Sequence, residues 1–315
     1  MIELIKIIST AVNNTFCELD HIENGAWIHL VNPTKEEVEC VVSSLSIEED
    51  FVKAALDEEE PSRLDYEDGA TLVIVDIPIV VPEGASFIYD TVPLGIIITE
   101  YNVVTVCLEE TSLIEDFWNR RVRGFDTCKK TRFVLQLLYR NASKYLHYLR
   151  QIDRASTQVE TALHKSMKNR ELIQMLKLEK SLVYFSTSLK SNEVVLEKIL
   201  KGNLIERYPD DTDLLEDVII ENKQAIEMCN IYRDILSGTM DAFASVISNN
   251  LNIVMKLLAA ITIVMAIPTM FSSFWGMNVA NVPFAANPYG FWIVGGISLV
   301  VSGIVAFVLW KKKMF

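Results

Sequence analysis

The rhythm of hydrophobic and polar positions changes along this chain, and each change predicts a different kind of element. Leu72–Val81 and Leu94–Cys107 are nearly unbroken runs of Val, Ile and Leu, interrupted only at Glu100-Tyr101-Asn102. They predict buried β-strands with a turn in the second run. Trp27-Ile28-His29-Leu30 predicts a further strand. The opening Met1–Ile8 also reads as a strand, because it is too short and lacks the basic start of a signal peptide. Thr34 and Glu37 stand in capping-box spacing and predict a helix start after Pro33. Residues 1–125 therefore read as an α/β domain whose strand order stays open. Residues 127–200 are helical by period, with a break near Lys168-Asn169-Arg170. This predicts a long antiparallel helical hairpin, and with the linker Gly202–Pro209 it fills residues 126–209.

Beyond Pro209 the pattern turns continuous. Residues 210–267 hold no proline and one glycine, Gly238, and Asp211-Thr212-Asp213 can supply an N-cap. A helix of that extent would measure roughly 87 Å at about 1.5 Å per residue. Its first part, 210–256, reads as a stalk. From Leu257 to Trp310 there is no charged residue. Leu257–Trp275 and Phe291–Trp310 each match the ~20 apolar residues that cross a bilayer. The first span is drawn as 257–278, the turn-rich loop as 279–290, the second span as 291–310 and a basic tail as 311–315. Lys256 and Lys311-Lys312-Lys313 flank the spans on one side, which predicts a cell-membrane protein with both termini cytoplasmic. The second span carries Gly295, Gly296, Ser298, Ser302 and Gly303, small residues that permit close packing, and it is assigned an outer, scaffolding place.

Near and inside the first span a second periodicity appears. Asn252, Met255, Ala259, Thr262, Ala266, Thr269 and Ser273 recur at alternating spacings of three and four. That is one helix face of small or weakly polar residues, against Leu, Ile and Val elsewhere. Several copies around an axis would use it to line a pore. The alternative is that the Thr and Ser hydroxyls only bond back to their own helix. Pro268 frees a backbone carbonyl at membrane depth.

Charge sharpens the division. The chain of 315 residues has a net charge of −13, and no Asp or Glu follows Asp241. Four lysines give residues 242–315 a charge of +4, so residues 1–241 carry −17. An acidic body argues against nucleic-acid partners. The five cysteines are scattered without a C-x-x-C, so no disulfide framework is expected. The four histidines form no metal-ligand pattern and read as packed or surface residues. No P-loop and no nucleophile–base pair is present, so neither a nucleotide nor an enzymatic activity is expected. The runs Glu48-Glu49-Asp50 and Asp57-Glu58-Glu59-Glu60 read as solvated faces, or as carboxylates that help hold a hard cation between subunits.

The first span ends Phe274-Trp275-Gly276-Met277-Asn278. A Gly-Met-Asn triplet in this topology, behind a long helix and an acidic α/β body, resembles the CorA family of magnesium channels. The resemblance implies a CorA-like homopentameric funnel in the lipid bilayer: an α/β N-terminal cytoplasmic domain, a long helical stalk and two C-terminal transmembrane helices. It implies Gly276, Met277 and Asn278 as the selectivity filter and Asn252 and Thr269 as polar rings along the pore, to which the seam adds Thr262 and Ser273 as pore-lining residues. Met255 and Leu258 fall at the hydrophobic gate, and Asp241 and Asp217 at the pore base and an intersubunit regulatory site. Mg2+ would be both the transported and the regulatory ion, with no organic cofactor. Where the family commonly has Leu-Glu-Asp facing the stalk, this chain has Val52-Lys53-Ala54, so the partner carboxylate is either missing or moved, with Asp57 or a neighbour the candidate. The loop after the triplet lacks an acidic residue, and Trp275 stands where Tyr is common.

The expected activity is passive, membrane-potential-driven Mg2+ uptake, gated by cytosolic Mg2+. A zinc, cobalt or nickel transporter of the same superfamily is the alternative, with a non-conducting membrane-anchored sensor behind it. No Cys or His stands on the polar face, which disfavours a soft ion.

Overall fold

The computed structural model describes residues 5–10, 17–83, 86–166, 169–202, 208–278, 283–284, 287–312 and 314. The chain divides into two compact units, Met1–Thr239 and Met240–Phe315.

The first unit is built on a seven-stranded sheet. Its strands are β1 (Ile5–Ser9), β2 (Cys17–Leu19), β3 (Ala26–Val31), β4 (Arg63–Glu67), β5 (Ala70–Glu83), β6 (Ser86–Ile98) and β7 (Val103–Cys107), in the order β2-β1-β3-β7-β6-β5-β4. All neighbours are antiparallel except β3 and β7, which run parallel from Trp27↔Val103 to Val31↔Cys107. The continuous apolar runs follow from burial on both faces. Val73, Val75 and Ile77 face one core, whereas Leu72 and Ile74 face the other. The short helices α1 (Lys35–Leu45) and α2 (Glu49–Ala54) cover the second face through Val38, Val41, Phe51 and Val52. Gly95 of β6 lets α2 approach, because a Cβ there would come within 2.5 Å of the Ala55 methyl.

The first face is covered by α3 (Ser112–Trp118), α4 (Lys130–Ser166), α5 (Asn169–Lys201) and the start of α6 (Pro209–Trp275). Trp27 lies at its centre, fully buried, edge-on to Phe117, Phe125 and Phe133. α4 and α5 form the expected hairpin, with Tyr145 edge-on to Phe185 at 5.0 Å. α6 runs antiparallel to α5: Asn222 Nδ2 donates to the Leu189 carbonyl and Cys229 Sγ to the Leu182 carbonyl.

Several expectations are met. The Thr34–Glu37 capping box is present on α1, Thr99–Asn102 makes the turn between β6 and β7, and all five cysteines are free. Others change. α6 begins at Pro209, so Asp211 lies inside its first turn, buried beside Arg132 at 3.6 Å, and is not a cap. Residues 1–4, Lys168 and residues 203–207 of the linker lie outside the described residues, as do 279–282 and 285–286 of the loop and Lys313 of the basic cluster.

The second unit holds the rest of α6 and α7 (Gly290–Lys311), both long and apolar enough to cross a membrane. Ala260, Val264, Ile267, Phe271 and Trp275 are the buried or half-buried side of α6 here, and Ser298 and Ser302 are the buried side of α7. Gly295, Gly296 and Gly303 have nothing within 4 Å of a would-be Cβ. The close packing expected of the small residues is therefore made by the two serines. Tyr289, Phe291 and Trp292 at one end of α7, and Phe307 and Trp310 at the other, are exposed, as interfacial aromatic belts require.

A candidate ion pathway along α6

At about 100° per residue, the side of α6 formed by Ala260, Val264, Ile267, Phe271 and Trp275 lies opposite the Asn252–Ser273 seam. Every seam member — Asn252, Met255, Ala259, Thr262, Ala266, Thr269 and Ser273 — is exposed in the single chain. Met255 and Leu258 are more than half exposed. Leu258 flanks the seam one position before Ala259. Pro268 and Val264 are half-buried on the side away from the seam, so the carbonyl freed by Pro268 does not face it.

The expected alternative for the hydroxyls also holds. Thr262 Oγ1 donates to the Leu258 carbonyl at 2.8 Å and Thr269 Oγ1 to the Met265 carbonyl at 3.1 Å. This does not take them out of a pathway. A hydroxyl that spends its proton on its own helix keeps its lone pairs and presents itself only as an acceptor. The waters around a cation point their hydrogens outward, so acceptors are what a hydrated ion needs.

The helix ends at Trp275. Gly276 N–H closes the last turn on the Ser272 carbonyl at 2.9 Å, and Met277 N–H reaches the Phe274 carbonyl at 3.4 Å. Gly276, Met277 and Asn278 are all exposed beyond it.

The same spacing extends backward in register from Asn252 through Ser248, Ser245, Asp241, Gly238, Asp234, Ile231, Glu227, Gln224 and Ile220 to Asp217, and each is exposed. Glu227 and Asp234 therefore join Asp217 and Asp241 as acidic candidates. Continuing the three-four spacing past Asn252 would have found them. Among the described residues, no three His, Cys, Asp or Glu side chains converge on a metal position. Asp57 is exposed and its Oδ1 accepts from Glu59 N–H at 3.0 Å. Val52 is fully buried, and Lys53 pairs with Glu49 at 2.8 Å.

The profile of the CorA-like Mg2+ transporter protein family matches residues 23–313. This chain belongs to the CorA-like Mg2+ transporter family. The cobalt/magnesium transport protein CorA of Methanocaldococcus jannaschii is 27% identical over 97% of this chain and 98% of its own. The magnesium transport protein CorA of Campylobacter jejuni is 25% identical over 92% and 91%. The solved complete structure of the Methanocaldococcus jannaschii CorA magnesium transporter superimposes with a TM-score of 0.85, covering 98% of each chain at 24% identity. The CorA architecture of an α/β domain, a long helix and two C-terminal apolar helices is thus this chain's fold. Against that CorA fold, the Gly-Met-Asn triplet lies at the end of the long helix, and the exposed seam leads to it.

Proposed function

We propose that five copies of this chain surround an axis with their α6 seams facing inward, forming a passive Mg2+ uptake channel of the cell membrane with both termini cytoplasmic. Five is the number that the family resemblance implies. The observation that carries the reading is the exposed face of small and weakly polar residues, opposite the buried and half-buried side of α6, ending at Gly276-Met277-Asn278. An anchor would have no use for such a face.

Mg2+ prefers oxygen ligands and gives up its water reluctantly. A ring of Asn278 amides can hold the hydrated ion through its water shell, weakly enough to release it. Thr269 and Thr262 then offer rings of acceptors, with Ser273 and Asn252 at the two ends of the seam. Met255 and Leu258 close the path by excluding water. A divalent ion gains about 4.6 kcal/mol on crossing ~100 mV, so no nucleotide is needed.

Cytosolic Mg2+ gates the channel by screening carboxylates between stalks, with Asp217 and Asp241 as sites and Asp57 as the cross-subunit partner. When Mg2+ falls, like-charge repulsion parts the stalks and wets the gate. In this arrangement residues 1–209 and the stalk to 256 are cytoplasmic, 257–278 and 291–310 span the bilayer, and 279–290 face outside. The test is uptake of Mg2+, Co2+, Ni2+ and Zn2+ into proteoliposomes. The chain is expected to take up Mg2+, and Asn278→Ala to lose at least tenfold. Zinc uptake without magnesium would favour the alternative transporter.

A further inference from the structure

Resting on the transport reading above, we propose that Trp275 is a positioning residue for the ion mouth: its indole clasps the end of α6 to the start of α7 and holds the Gly276-Met277-Asn278 turn in place. Among the described residues two backbone bonds tie the turn to its own helix, one of them long at 3.4 Å. A ring of amides that binds an ion through its waters must be held to within about 0.5 Å to be selective. A second restraint is needed, and the structure supplies one.

The indole Nε1–H of Trp275 donates to the Pro283 carbonyl at 3.1 Å. Pro283 lies five positions beyond Asn278 in the chain. The next residue, Phe284, has φ +65°, a left-handed conformation that is strained for a bulky residue and persists only where its surroundings impose it. That conformation turns the Phe284 carbonyl onto the start of α7. There it accepts from Asn287 N–H at 3.1 Å, and Gly290 N–H in turn donates to the Asn287 carbonyl at 2.9 Å. The Phe284 carbonyl occupies the space that a Cβ on Gly290 would need, and Trp275 Cζ2 lies 3.5 Å from the same point. Trp275, the Pro283–Phe284 corner and Gly290 thus meet at one place. Position 275 adjoins the triplet directly, so freedom of the indole is freedom of the mouth. Phe in place of Trp would keep an aromatic body and lose the donor.

The experiment compares the parent protein with Trp275→Phe and Gly290→Ala in proteoliposomes, reading the half-saturating Mg2+ concentration and the Mg2+:Co2+ uptake ratio. Both variants are expected to assemble as the parent does, to raise half-saturation at least fivefold, and to change the ratio at least threefold. A purely structural role would lower the amount of assembled protein without moving either quantity. Parental values in both variants would overturn the clasp, and Gly290→Ala alone carries the test where Trp275→Phe does not assemble. If the parent takes up no Mg2+, the transport reading fails instead. The clasp is then judged by deuterium exchange at the Trp275 indole N–H, slow if it exists and fast if it does not.

Discussion

The side-chain amide of Asn192 stands in for a missing strand residue beside Asp76. Asp76 N–H donates to Asn192 Oδ1 at 2.8 Å, and Asn192 Nδ2 donates to the Asp76 carbonyl at 2.8 Å. β4 pairs with β5 only as far as Arg63↔Ile74, so Asp76 has no backbone partner on that side. The amide from α5 continues the ladder. The same carbonyl also accepts from Asn141 Nδ2 at 2.8 Å and Tyr145 Oη at 3.2 Å, which ties α4 to the same edge.

Asn192→Ala leaves the Asp76 N–H without its partner in a half-buried place, at a cost of about 1–2 kcal/mol. Thermal unfolding of the detergent-solubilised protein is expected to begin several degrees lower, with the Mg2+:Co2+ uptake ratio of the surviving protein unchanged. An unaltered melting temperature would refute the role.

His29 sets an acid limit on the first unit. Burial, then the Lys6 ammonium, lowers its pKa to about 4, while the Thr105 backbone and the Glu110 carboxylate pull upward; the Thr105 hydroxyl lies 2.9 Å from Nδ1. Cys107 Sγ is the other neighbour, 4.0 Å from Nε2, and burial holds its thiol up at about 12. A histidine whose folded value lies below its unfolded one gives stability that is complete above about pH 6.5 and is lost as pH falls toward 4. The loss is about 3 kcal/mol. Urea unfolding followed by near-ultraviolet circular dichroism is expected to show this slope between pH 6.5 and 4, and His29→Gln to flatten it.

The two threonines separate a wet path from a dry helix face. Thr262→Val and Thr269→Val keep shape and remove the acceptor. Each is expected to lower Mg2+ flux about three- to tenfold, an effect of ~1 kcal/mol, whereas Ile263→Val is expected to leave it unchanged. Equal flux in all three would mean that the hydroxyls serve only their own helix.

Asp217 carries the proposed regulation. Asp217→Ala is expected to shift half-inhibition by cytosolic Mg2+ to higher concentration while leaving the permeability ratios as they were. Unchanged inhibition would remove Asp217 from the regulatory site and direct attention to Glu227 and Asp234 in the same register.

What could be read from residues alone followed physical strength. The strands Leu72–Val81 and Leu94–Cys107, the Thr34–Glu37 cap and the two apolar spans each rest on a local signal, and each is found. β4 carries no such signal, because Arg63-Leu64-Asp65-Tyr66-Glu67 is an edge strand with one buried residue and no apolar run. The start of α6 agrees with the pattern to one residue, but Asp211, which looks like a cap in sequence, lies inside the first turn as the buried partner of Arg132. Which small residues of α7 pack was likewise beyond a composition argument. Gly295 and Ser298 look alike by size, and only the helix phase puts Ser298 inside. The Trp275–Pro283 contact depends on the path of the loop, which no periodicity encodes.

In the proposed channel the face running from Asn252 to Asn278 is wet. Single cysteines at 262, 266, 269 and 273, and at 261, 265, 270 and 274 beside them, can be challenged with a hydrophilic thiol reagent during Mg2+ uptake. Rapid modification with block of uptake is expected for the first set, and slow modification without block for the second. The reverse pattern, or equal and slow modification at every position, would contradict it.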